Sequence, residues 1–288
     1  MSRSILASAL IVSALAAPAF AQGNSQGKGK GNGHASSPPS RNVLAAPTAI
    51  VAAPSNGAAP FAWVDDATIL DAGAGSVGFS IVHFQGADVA ETDAPVVEAS
   101  LGLAPRVQLA VTVPRVIAGA DEGAAAGGVG TTFVAAKVAV LDNPKRHFKI
   151  AVTPTVEILG AAVAASLNEG ESRTQFGLPV SAEVDGGSLR VYGSTGFFTS
   201  GVRFVGAGAA VQASPKAILS LGISHSWRSD DLAAAADRSE LSGGLGLIVT
   251  PRVVVFGSIG RTIGTLDENG AGTTVNGGVS FSFTAPTR

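Results

Sequence analysis

The chain is most informative at first for what it lacks. Its 288 residues include no cysteine, which excludes disulfides, thiolate metal sites and a lipid-anchored N-terminal cysteine. Only 14% of the residues are charged and the formal net charge is -2, which argues against a nucleic-acid-binding protein. After the N-terminus there is no run of about 18 apolar residues without a charge or a break, so spanning helices are not expected.

Three regions are predicted along the chain. Residues 1–21 form a signal peptide, with Arg3 before an apolar centre and Ala19-Phe20-Ala21 as the cleavage site. Residues 22–60 are rich in Gly, Ser, Pro and Ala and predict a disordered linker, because they cannot bury enough apolar surface to offset the entropy of ordering. Residues 61–288 are assigned to a single β-barrel domain.

Strict alternation of apolar and polar residues dominates from about Gly75 onward. In residues 96–113, Val97 and Leu101 share one face of a strand, whereas Glu98 and Ser100 share the other. This alternation is typical of a β-strand whose two faces meet different surroundings. It predicts twelve strands, at residues 75–84, 94–103, 107–113, 129–141, 147–158, 174–184, 189–197, 202–213, 217–226, 239–249, 253–262 and 273–283.

The connections between these strands are alternately short and long. Three short ones contain a proline followed by a basic residue, at residues 104–106, 214–216 and 250–252. They predict the pairs Leu103 with Val107, Ala213 with Ala217 and Val249 with Val253. The predicted long loops at residues 85–93, 114–128, 159–173, 227–238 and 263–272 are acidic.

Short turns at one end and long loops at the other favour an all-β fold, an antiparallel up-and-down transmembrane β-barrel of about twelve strands. A soluble β-sandwich is the competing fold, since it would show the same alternation. The polar faces supply the candidates that line the lumen, namely Glu98, Lys137, Lys149, Glu157, Glu183, Arg190 and Tyr192. Within this set, Glu183 is predicted to lie directly opposite Arg190.

Two short stretches leave alternatives open. Residues 61–70 are compatible with a plug, a lead-in strand or an interfacial segment anchored by Trp63. Ser224-His225-Ser226 brings a histidine beside hydroxyls, but His225 shares the face of Leu219 and Leu221, which predicts an interfacial histidine instead of a catalytic base. No enzyme activity, cofactor, catalytic residue or metal site is therefore predicted.

A likeness of pattern accompanies these features. Asp65-Asp66, a strand led by Gly75, the hairpin LGLAPRVQLAVTVP and the later hairpin GTTFVAAKVAVLDNPKRHFKIAVTPTVEI resemble the bacterial outer-membrane transporter-like barrels grouped with the MetA pathway of phenol degradation. The resemblance covers about residues 65–283. It implies passage of small molecules, aromatic ones among them, and brings no defined substrate residues.

The leading functional hypothesis is a passive pore or transporter for small molecules in the bacterial outer membrane. The alternative is a plugged barrel with a structural or surface-interaction role through its acidic loops. The expected partners are outer-membrane lipid, the barrel-assembly machinery and a small permeant of unknown identity, with no nucleic acid among them.

Overall fold

A computed structural model describes residues 64–86, 90–119, 127–160, 172–228, 237–265 and 271–284. The predicted signal peptide and linker lie outside these ranges, so both stay predictions. Within these ranges the chain forms no helix that is long and apolar enough to cross a membrane.

The described residues form fifteen β-strands. They are β1 (Ala74–Gly86), β2 (Ala90–Ala104), β3 (Val107–Gly119), β4 (Gly128–Val129), β5 (Thr132–Asn143), β6 (Phe148–Val152), β7 (Thr155–Ile158), β8 (Thr174–Gly177), β9 (Val180–Asp185), β10 (Leu189–Phe197), β11 (Val202–Ser214), β12 (Ala217–Arg228), β13 (Arg238–Thr250), β14 (Val253–Thr265) and β15 (Gly272–Thr284).

These strands build a closed antiparallel barrel with twelve strands in its wall. β4 with β5, β6 with β7, and β8 with β9 each continue one another, since both members of each pair lie along the same neighbouring strands. Pro154 and Pro179 stand at two of the three interruptions, where proline has no N–H to donate to the ladder. β1 pairs with β15 from Ala74 opposite Thr284 to Gly86 opposite Gly272, which closes the barrel. The predicted fold class is confirmed.

The three Pro-containing turns are tighter than predicted. Glu98 lies opposite Thr112 and Leu101 lies opposite Leu109, which is the register that the predicted pair Leu103–Val107 implies. Next to the turn, however, a bulge makes Ala104 the partner of Val107. Ser214 with Ala217 and Thr250 with Val253 repeat the same irregularity. The predicted pairs Leu103–Val107, Ala213–Ala217 and Val249–Val253 are thus wrong at the turn, although the register they imply holds along the strands.

The strands also extend farther towards the long-loop end than predicted. Only residues 87–89 separate β1 from β2, and Glu91 and Asp93 belong to β2 with buried side chains. Alternation extended back from Glu98 predicts an outward direction for both residues, but a bulge between Asp93 and Val96 changes the parity and directs both side chains inward. Asp237, in the predicted loop at residues 227–238, is described and lies 3.9 Å from His225 Nε2 through its Oδ1; the remaining acidic residues of the predicted long loops lie outside the described ranges.

The two faces of the wall have opposite character. Large apolar side chains are exposed on the outside, for example Leu221 at 59% and Ile81 at 57%, whereas Gln108 and Ser280 are at most 1% exposed on the inside. A soluble β-sandwich would bury its apolar faces against each other. An apolar outer surface around a polar interior is the arrangement of a barrel that spans a lipid bilayer.

Candidate functional site

Residues 64–71, called here the inner segment, precede β1 and lie inside the barrel. The backbone N–H of Leu70 donates to Gln108 Oε1 of β3 at 2.8 Å, and the N–H of Asp65 donates to Ser194 Oγ of β10 at 3.0 Å. Val64 lies against the part of β11 around Gly208, where an added Cβ would come within 3.0 Å of Val64 Cγ1. The inner segment therefore contacts wall strands on different sides of the lumen.

An apolar cluster holds both ends of the inner segment. Val64 and Leu70 pack with inward-facing side chains of the wall strands, namely Ala74 of β1, Tyr192, Ala210, Ile218, Ile248 and Val254. Ile218, Ile248 and Val254 lie next to the short turns. The inner segment therefore lies towards the short-turn end of the lumen. Of the three interpretations of residues 61–70, the plug agrees with the structure of residues 64–70, because these residues lie inside the barrel. Residues 61–63 lie outside the described ranges.

The Lys137 side chain on β5 binds the acidic part of the inner segment. Its Nζ donates to Asp65 Oδ1 at 2.9 Å and to the backbone carbonyl oxygen of Asp66 at 2.8 Å, and lies 3.5 Å from Asp66 Oδ1. Lys137 is 4% exposed and Asp66 is 1% exposed. Ion pairs withdrawn from water to this degree are costly to break, because each partner would be left as an uncompensated buried charge.

A second set of contacts joins the inner segment to β9 and β10. Arg190 Nη1 lies 3.3 Å from Asp66 Oδ2 and 4.0 Å from Glu183 Oε1. The Thr68 hydroxyl donates to Glu183 Oε2 at 2.6 Å, and the N–H of Ala67 donates to the same oxygen at 3.2 Å. The charged network therefore extends through the inner segment from β5 to β10.

Glu183 and Arg190 are not directly opposite, and that prediction is wrong. Glu183 lies opposite Tyr192, whereas Arg190 lies opposite Asp185. The N–H of Gly186 donates to the carbonyl oxygen of Leu189 at 2.8 Å, so the loop closes two positions away from the predicted register. A shift of two residues keeps every side chain on its own face, which is why the 4.0 Å approach of Arg190 to Glu183 survives as a diagonal contact.

Lys149 on β6 completes the network on the wall. Lys149 lies opposite Glu183, and its Nζ is 3.9 Å from Glu183 Oε1. It also influences the end of the inner segment, where partial burial raises the pKa of the Asp71 carboxyl while the Lys149 ammonium acts in the opposite direction. Three cationic side chains thus meet three carboxylates, from Lys137, Lys149, Arg190, Asp65, Asp66 and Glu183.

The structure brings five of the seven predicted lumen residues together around the inner segment. Tyr192 joins them through the apolar cluster and through Arg190, whose Cζ lies 5.9 Å from the centre of the Tyr192 ring. Glu98 and Glu157 are also buried on the inward side, at 5% and 0% exposure, but belong to β2 and β7. That these seven side chains line a route for a permeant stays a prediction.

Sequence reasoning did not find the residues that occupy the lumen. In the sequence, Asp65 and Asp66 stand out only through the family resemblance, and no pattern distinguishes Ser194 of β10. Their partners lie far away in the chain, 129 positions for the hydrogen bond from Asp65 to Ser194. The adjacent acidic pair just before the first strand, facing lysine and arginine on predicted inward faces, was the available signal.

The Ser224-His225-Ser226 motif divides between the two sides of the wall. Ser224 and Ser226 are buried at 4% and 2% exposure, whereas His225 stacks on Trp227 with ring centres 5.4 Å apart. The histidine Nδ1 lies 3.0 Å from Ser239 Oγ on the next strand. His225 is therefore directed away from both neighbouring serines. In the described ranges, moreover, no group of His, Cys, Asp and Glu side chains is arranged to hold a metal ion.

Comparisons with known proteins show likeness in structure. No family model matches the chain, and no curated protein matches its sequence. Among solved structures, the NanC porin is similar over 71% of this chain and 98% of its own, with 11% identity and a TM-score of 0.53. The KdgM porin is similar over 72% and 99%, with 11% identity and a TM-score of 0.53.

A third similar structure is the COG4313 outer membrane channel from Pseudomonas putida F1. It covers 74% of this chain and 97% of its own, at 17% identity and a TM-score of 0.53. At these identities the likeness is one of fold, and the fold is that of outer-membrane barrels.

Proposed function

We propose that the protein is a passive pore for small molecules in the bacterial outer membrane, and that the inner segment closes it. The observation that carries the proposal is the set of ion pairs from Asp65 and Asp66 to Lys137 and Arg190 inside a closed barrel. A wall lined with polar and charged side chains suits aqueous solutes. The docked segment explains how such a barrel is kept closed.

The location follows from the same features. An exposed apolar outer surface suits lipid contact, and the predicted signal peptide would direct export across the inner membrane. Insertion would then require the barrel-assembly machinery. β1 begins at the short-turn end with Ala74, and this is the periplasmic end in the proposal. The proposal includes no enzymatic step, and aromatic permeants remain an expectation from the family resemblance.

Solute efflux from liposomes tests the pore. We expect slow efflux of a small sugar with the wild-type protein and faster efflux after deletion of residues 64–71, because deletion removes the segment from the lumen. Lys216→Gln, an exposed cation on a short turn, is the control and should behave as wild type. A deletion variant that inserts and resists SDS until boiled, yet releases no solute faster than wild type, would contradict the proposal.

A plugged barrel with a structural or surface role is the second candidate. The contacts that hold the inner segment in the lumen favour this candidate, because a segment that stays bound keeps the barrel closed permanently. The efflux experiment separates the two functions, because a purely structural barrel would stay tight in wild type under all solute conditions. Its acidic loops would then be the part to examine for a partner.

A further inference from the structure

The contacts of the inner segment place two carboxylates on two cations of the wall. Lys137 Nζ holds Asp65 Oδ1 at 2.9 Å, and Arg190 Nη1 lies 3.3 Å from Asp66 Oδ2. Both cations are on strands, and both carboxylates are on a segment that is joined to the wall through β1. The wall therefore provides a site for anions that the protein fills with its own chain.

The charge balance shows what the site lacks when the segment is absent. The wall supplies Lys137, Lys149 and Arg190 together with Glu183, and Asp185 lies opposite Arg190 as a second wall carboxylate. Asp65 and Asp66 add two more carboxylates from the inner segment. Without them, three cations of the wall face two carboxylates, which leaves an excess of positive charge. Charges in a partly desolvated site need a counter-charge to be stable.

Glu183 can compensate only part of the site. It lies 4.0 Å from Arg190 and 3.9 Å from Lys149, so both of these cations keep a wall carboxylate. The close contacts of the Lys137 ammonium described above, by contrast, are all with Asp65 and Asp66. Lys137 is therefore the cation that depends most on an incoming anion.

We propose that Lys137 and Arg190 form a binding site for small dicarboxylates, which compete with Asp65 and Asp66 for it. Lys137 on β5 and Arg190 on β10 are separated in the wall by β6 and β9, and two cations set apart in this way suit a ligand with a carboxylate at each end. Arginine and lysine are the side chains that bind carboxylates best. The inference rests on the proposed pore function, and it names the class of permeant that opens the pore. The inner segment then acts as an internal substitute for that permeant.

Octanedioate is a suitable probe. The chain of atoms that joins the two carboxyl carbons of Asp65 and Asp66 through the peptide bond has the same length as the chain of octanedioate. Octane-1,8-diol has the same skeleton without charge and serves as the matched neutral probe. In planar bilayers we expect octanedioate to raise the open probability of the wild-type protein, and octanediol to leave it unchanged.

The vacated site is tested with the double variant Asp65→Asn, Asp66→Asn, which conducts without a ligand if the pore proposal holds. Octanedioate should then bind in the lumen and reduce the current. Adding Lys137→Gln should raise the half-blocking concentration about tenfold or more, the size of a typical coupling between a ligand and one strong contact. Adding Lys137→Arg should restore the block, and adding Lys216→Gln should leave it unchanged.

The outcomes separate the two proposals. Current in the double variant with no preference for octanedioate over octanediol overturns the dicarboxylate site and leaves the pore. Equilibrium dialysis against the detergent-solubilised double variant measures binding without current. Binding that depends on Lys137 in a barrel that never conducts keeps the site and overturns the pore. Block that is unchanged by Lys137→Gln overturns the assignment of the site.

Discussion

At the scale of single residues, the pair of Asp65 and Lys137 is the most direct link between the wall and the inner segment. We expect Asp65→Asn and Lys137→Gln each to weaken docking and to speed efflux of a small sugar, because removing one partner of a buried ion pair typically costs about 3–5 kcal/mol. Lys137→Gln removes the contact with Asp65 together with those to Asp66, so the double variant should be little faster than Lys137→Gln alone. Effects that multiply fully in efflux rate would show that the two residues act separately.

Gly102 gives a test of docking that changes no charge. A Cβ on Gly102 would overlap the backbone carbonyl oxygens of Leu70 and Asp71, so Gly102→Ala should push the inner segment from the wall and speed efflux. Gly78 is the matched inward-facing glycine on β1, where an added Cβ meets its nearest neighbour, Glu98 Oε2, at 3.6 Å. Gly78→Ala should leave efflux unchanged. Equal effects from the two substitutions would contradict the close approach.

The sequence was sufficient to assign residues to the two faces of the wall but not to identify their partners. Glu157, Lys137 and Arg190 are on the inward side because strict alternation fixes the face of a strand residue. The alternation does not identify the partner of Glu183, because registers that differ by two residues preserve the same faces. Asp65 has no periodic neighbours, so nothing local predicted that it would lie in the lumen.

At the scale of strands, the outward faces make a prediction about depth in the membrane. Leu221 is 59% exposed in the middle part of β12, and Val249 is 59% exposed one residue from the end of β13. We expect Leu221→Lys to lower the free energy of unfolding in lipid vesicles by about 2–4 kcal/mol and Val249→Lys by about 0–1 kcal/mol, since a charge costs most at the bilayer midplane. Denaturant titration in vesicles measures both. Equal losses of unfolding free energy from the two substitutions would show that Leu221 does not lie closer to the bilayer midplane than Val249.

The number and order of the strands could be predicted because each carries its own alternation and its own turn. The ends of the strands could not be predicted in the same way. Glu91 and Asp93 on β2 are charged residues of the kind that is common in loops, and only the structure shows that the barrel buries them. The bulges beside the Pro-containing turns were also missed, since a bulge changes the pairing of one residue and leaves the apolar pattern of the strand intact.

At the scale of the whole molecule, the barrel depends on the pairing of β1 with β15. Truncation after residue 271 would remove β15 and leave β1 and β14 with unpaired backbone edges, which are not tolerated in a membrane. We expect the truncated chain to lose the faster electrophoretic mobility of an unboiled, folded barrel. Phe283→Ala, a change at an outward-facing side chain that is 47% exposed, should retain it. A truncated chain that still resists SDS would show that the barrel closes in another way.

The inner segment is joined to the wall by only two residues, Ala72 and Gly73, before β1 begins at Ala74. A group held by so short a link is present near its site at an effective concentration on the order of millimolar. In the proposed mechanism, a free solute must match that concentration, adjusted by its relative affinity, before it occupies the site. The protein would thus open when the solute is abundant and stay closed when the solute is scarce. The solute concentration at which it opens would be set by the length of the link between the inner segment and β1.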